Sequence, residues 1–206
     1  MHRLLRACCD TFRQVEGLGY EIRRSAFAFF FIAALFFGLC LGIPSLGDWM
    51  TDYIASLLGG LQVLDEMGRL SPLALFLNNL RACVFTMLYG LVPFVFLPAL
   101  ALGTNAATLG GLGAWYLRTG RPAAGYFAAL LPHGIFELPA LIVSLAMGLW
   151  ACGQLTRRCR GDGTARSLRN CLALMLRMLL AVLIPLLAAA ALIEAYVTPV
   201  VAALLS

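Results

Sequence analysis

Four long runs with almost no charge, at residues 25–43, 82–102, 123–153 and 172–193, set the terms on which this chain can fold. Each meets or approaches the roughly 20 residues that an α-helix needs to cross about 30 Å of hydrocarbon. Over the 206 residues only 12% are charged and 62% are hydrophobic, against roughly 25% charged in a soluble domain. Such a chain has too little polar surface to cover a soluble core. The predicted class is an all-α, polytopic integral membrane protein, with residues 104–117 as a shorter fifth span.

The formal charge of +5 is carried by arginine alone, because the chain contains no lysine. Arg3, Arg6, Arg13, Arg23 and Arg24 precede the first run, and Arg157, Arg158, Arg160, Arg166, Arg169 and Arg177 cluster around the junction of the last two. The positive-inside rule places both groups in the cytoplasm. Residues 44–81 carry Asp48, Asp52, Asp65 and Glu66 against Arg69 and Arg81, lack a positive bias, and belong outside. Five crossings satisfy these constraints with the amino terminus inside and the carboxyl terminus outside, leaving only Arg118 and Arg121 on the disfavoured side. A re-entrant hairpin over 104–131 would invert the basic loop. The predicted layout in the cytoplasmic (inner) membrane is a cytoplasmic lead (1–24), one transmembrane domain (25–199) and a short external tail (200–206). No aromatic residues interleave with the arginines, so they do not suggest a nucleic-acid surface.

Local patterns refine this layout. Phe12, Val15, Leu18 and Ile22 form an apolar helical stripe suited to the membrane interface, and the mixed lead before residue 25 does not resemble a cleaved signal peptide. Seven cysteines without a CxxC pair read as free thiols. Trp49, Tyr53, Leu57, Leu61 and Leu64 recur at helical spacing, which predicts an external amphipathic helix near 48–67. Asp48, Trp49, Asp52 and Tyr53 are its candidate partner surface. Ser71-Pro72 has the cap and first-position chemistry of a helix start. That helix is expected to run past Pro93 and Pro98, while Pro132 is expected to break the long run at 122–153 into two pieces.

His133 and Glu137 are spaced i,i+4 beside that proline, and ionisable groups at membrane depth mark functional sites by default. With Asn78, Asn79 and Asn105 they form the candidate polar cluster, serving either as a packing network or as a site for a lipid, glycan-lipid or ion. Glu194, with Thr198 and Pro199, sits near the outer interface, where capping or water-mediated packing is the simplest role. An enzyme is not indicated. The only histidines are His2 and His133, the sequence from His133 to Glu137 is not HExxH, and no GxSxG supplies a nucleophile. No cofactor or metal is implied by these patterns.

Asn78-Asn79, Asn105, Pro132-His133-Gly134 with Glu137-Leu138, and Glu194 with Thr198-Pro199 together resemble the stage II sporulation protein M family. The resemblance covers nearly the whole chain, and Ala106 stands where the family commonly has glycine. It implies a noncatalytic membrane scaffold, similar to one that positions cell-wall hydrolases during engulfment. The partners it implies are the lipid bilayer and peptidoglycan-remodelling envelope proteins, with self-association left open. The alternative is a small transport-like protein that binds a lipid or an ion at His133 and Glu137.

Overall fold

In hydrocarbon a backbone amide has no water to bind, so the charge-poor runs satisfy their hydrogen bonds internally as helices. The structure, a computed structural model, describes residues 12–60, 71–198 and 200, and regular structure among them is helical. The main helices are α1 (Leu18–Gly42), α2 (Pro44–Gly60), α3 (Pro72–Tyr89), α4 (Leu97–Arg118), α5 (Ala123–Cys159), α6 (Leu168–Met178) and α7 (Ile184–Tyr196). A π-helical turn, Leu179–Leu183, joins α6 to α7. Among the described residues, four stretches are long and apolar enough to cross a membrane: α1, α3, the Leu130–Cys159 part of α5, and the continuous Leu168–Tyr196 segment.

Several boundaries follow the sequence signals. The first span closes at Gly42 with Ile43 extended beyond it, and Ser71 caps α3 by accepting a hydrogen bond from the Ala74 amide at 3.3 Å. Of the expected helix near 48–67, residues 48–60 are helical within α2, which starts earlier at Pro44, with Met50 and Ile54 buried against the bundle; residues 61–67 lie outside the described residues.

The expected break at Pro132 does not occur. Helix α5 runs unbroken through both Pro132 and Pro139, because each proline removes one amide donor and leaves the bonded turns on either side intact. The irregular turn lies instead at 179–183, just before Pro185. A π-turn widens the helix where a proline ring would press on the carbonyl four residues earlier, that of Ala181.

A second correction concerns Pro93. Helix α3 stops at Tyr89, and residues 90–96 form a loop in which Phe94 and Phe96 adopt left-handed backbone with φ of 67° and 50°. The loop is held by α5. The Phe94 amide donates to Thr156 Oγ1 at 2.8 Å, Cys152 Sγ donates to the Val92 carbonyl at 3.3 Å, and the Arg160 guanidinium lies 5.7 Å from the Phe94 ring centre.

Helix α5 is the central post, packed by α1 and α4 on one side and by α3 and α7 on the other. Close backbone approaches fix these neighbours: a Cβ on Gly110 of α4 would overlap the Ala33 carbonyl of α1, and one on Gly90 would overlap the Gly148 carbonyl of α5. The expected interfacial stripe is in fact core. Val15 and Leu18 are buried with α5, α6 and α7 residues, Phe12 and Ile22 pack against them, and Trp150 Nε1 donates to the Glu16 carbonyl at 3.1 Å.

Candidate functional site

Helices α5 and α7 bring His133, Glu137, Glu194 and Thr198 together. One side-chain ligand atom from each of His133, Glu137 and Glu194 lies within 4.8 Å of the others. His133 Nε2 is 3.8 Å from Glu137 Oε2 across one helical turn, with side chains 13% and 32% exposed. On its other edge, His133 Nδ1 is 3.4 Å from Thr198 Oγ1, and the Thr198 hydroxyl donates to the Ile193 carbonyl at 3.4 Å. With the hydroxyl proton directed to Ile193, the oxygen can accept from Nδ1–H, the tautomer in which the Nε2 lone pair is turned toward the carboxylates.

The electrostatics of this arrangement are unfavourable without a positive partner. Two ionised carboxylates at the 4.8 Å limit repel by about 3.5 kcal/mol at an effective dielectric of about 20. A shared proton or a cation relieves that repulsion. The cluster also lies far from the arginine-rich end of α5: twenty residues from Glu137 to Arg157 span about 30 Å of helix, the thickness of the hydrocarbon layer. A crossing α5 with Arg157 at one interface would therefore carry Glu137 near the other, beside Glu194 of α7.

The structure divides the remaining candidates. Asn78 Nδ2 donates to Asn79 Oδ1 at 3.4 Å, and Asn105 Nδ2 donates to the Ala101 carbonyl at 2.8 Å. Asn78 and Asn105 line a separate groove of about 730 Å³ between α3 and α4, together with Arg81, Tyr89 and Thr104. Ser144, two turns farther along α5, is buried and donates to the Leu141 carbonyl at 2.7 Å. Pro199 lies outside the described residues.

On α2, Trp49 and Tyr53 are exposed and stack at 5.6 Å between ring centres, 6° from parallel. Asp52 is exposed beside them, whereas Asp48 pairs with Arg118 at the end of α4. The Arg121 guanidinium lies 4.5 Å from the Trp115 ring centre. Both arginines that sequence analysis left on the disfavoured side are therefore matched by an acid or an aromatic face, a pairing that linear charge counting could not reveal.

The helical bundle, with its four membrane-length apolar stretches among the described residues, defines a multi-pass α-helical membrane protein. Residues 26–199 match the family model described as Stage II sporulation protein M, and the chain belongs to that family. No curated protein and no solved structure matches the chain significantly.

Proposed function

We propose that this protein is a membrane scaffold that recruits or positions envelope proteins acting on peptidoglycan. The observation that carries the reading is the two-sided character of α2: Met50 and Ile54 are buried, while Trp49, Asp52 and Tyr53 face outward. Stacked aromatics beside an exposed acid give a rigid contact surface with a polar rim, the composition that favours protein interfaces.

In this account the protein crosses the inner membrane five times, with α4 as the fifth span and the 160–167 loop in the cytoplasm. Helix α4 has 22 residues, about 33 Å of rise, and its close packing along α1 supports a spanning role. Its lower hydropathy reflects Thr104, Asn105 and Thr108, of which each side chain donates to a carbonyl of the preceding turn. The amino terminus is then inside and the carboxyl terminus outside, with the α2 face on the envelope side.

The test is photo-cross-linking from position 53 in cells, followed by identification of the captured proteins. Asp52→Arg and Trp49→Ala in folded protein should reduce capture of envelope proteins, and arginine changes in the 160–167 loop should not. Unchanged capture would remove α2 as the docking surface. Ion or lipid flux through purified protein in sealed vesicles, lost on His133→Ala, would overturn the scaffold reading in favour of transport.

A further inference from the structure

We infer that His133, Glu137 and Glu194 form a binding site for one divalent transition-metal ion. The inference is independent of the scaffold role. Sequence spacing offered only a histidine and one acid, too few ligands to hold an ion; α7 supplies the third ligand and Thr198 supplies its support.

Three geometric facts favour an ion. First, the 3.8 Å between His133 Nε2 and Glu137 Oε2 is too long for a hydrogen bond. It is near the roughly 3.3 Å that separates two ligand atoms held 2.0–2.1 Å from a tetrahedral ion. Second, the ring is turned by its other nitrogen: Nδ1 meets Thr198 Oγ1, which is anchored in turn to the Ile193 carbonyl. Metal-bound imidazoles are oriented in this way by an outer hydrogen bond, leaving the opposite nitrogen free to coordinate. Third, Glu137 and Glu194 are half-buried within 4.8 Å of each other beside the His133 ring, and a divalent cation between them would offset the repulsion of their ionised forms. One imidazole with two carboxylates suits Zn²⁺ or Mn²⁺ better than a soft ion. The three ligands leave a fourth position for water or for a group on a partner.

The probe is Zn²⁺ added to full-length protein in detergent after chelator treatment. Metal is counted by mass spectrometry after desalting, and its ligands are read by X-ray absorption. The expected result is about one ion per chain coordinated by one imidazole and by oxygen atoms. Glu194→Gln and Glu137→Gln should abolish retention, Thr198→Ala should weaken affinity about tenfold or more, and His2→Ala should change nothing. No retained Zn²⁺ in the unaltered chain would overturn the proposal. So would sulfur ligation, which would move the ion to the cysteines, or full retention by folded Glu194→Gln. If the glutamine variants fail to fold, the absorption spectrum of the unaltered protein still decides between oxygen and sulfur ligands.

Discussion

Two glycines on α5 should respond to the same substitution with opposite sign. A Cβ at Gly148 would sit 2.7 Å from the Thr86 carbonyl oxygen and 2.9 Å from Pro98 Cγ, whereas one at Gly153 would meet nothing within 4 Å. Neither obstacle at Gly148 can rotate aside, since one is helix backbone and the other a proline ring, so α3 or α4 must shift. Overpacking of this kind costs about 1–3 kcal/mol. Replacing a mid-helix glycine with alanine returns about 1 kcal/mol of backbone entropy. Gly148→Ala should therefore be destabilised by roughly 1 kcal/mol, and Gly153→Ala stabilised by about 0.5–1 kcal/mol. Denaturant unfolding in mixed micelles, followed by fluorescence of Trp150 on the same helix, reads both. Stabilisation of Gly148→Ala as large as that of Gly153→Ala would refute the close approach of α5 to α3 and α4.

Two further outcomes follow from the loops at the arginine-rich end. Thr156→Val should destabilise by about 1–3 kcal/mol in the same unfolding assay, because it leaves the Phe94 amide without its acceptor, while Thr156→Ser should retain most of the stability. Hydrogen bonds from Thr164 and Arg157 hold the Asp162 carboxyl at about 2, below its ordinary 3.8. A depressed carboxyl stabilises fully above its unfolded value and loses that effect as pH falls through its folded value. Amide exchange over 162–165, corrected for intrinsic rates, should thus accelerate as pH drops from about 4 to about 2, and Asp162→Asn should remove the transition.

Much of this architecture was legible in the chain because the membrane leaves few choices. The runs at 25–43 and 172–193, the Ser71-Pro72 start and the Gly42 stop encode local backbone chemistry and appear as read, whereas the run at 82–102 divides into the end of α3, a loop and the start of α4. The prolines were misjudged for a reason: a proline deletes one bond, and whether the helix breaks depends on neighbours that sequence does not display. Pro132 is carried through by the flanking turns of a central helix, while the strain near Pro185 is taken up by a π-turn. The site was half legible. His133 and Glu137 share a face by spacing alone, but Glu194 and Thr198 are more than fifty residues away along the chain, and only the packing of α7 on α5 brings them to the imidazole. Counting helix rise from Arg157 would have hinted that Glu137 and Glu194 share a depth. Nothing in the spacing could show that Asn78 and Asn105 turn toward a separate groove.

The assembly of His133 with Glu194 across two helices is the claim on which the site rests, and a double-mutant cycle measures it. His133→Ala, Glu194→Gln and the double variant are unfolded in the same micelles, with His133→Ala and Asn105→Ala as the comparison pair. Side chains in one network couple by about 0.5–3 kcal/mol, and independent sites add within about 0.5 kcal/mol. The account predicts coupling for His133 with Glu194 and additivity for His133 with Asn105; additivity in the first pair, or coupling only in the second, would contradict it.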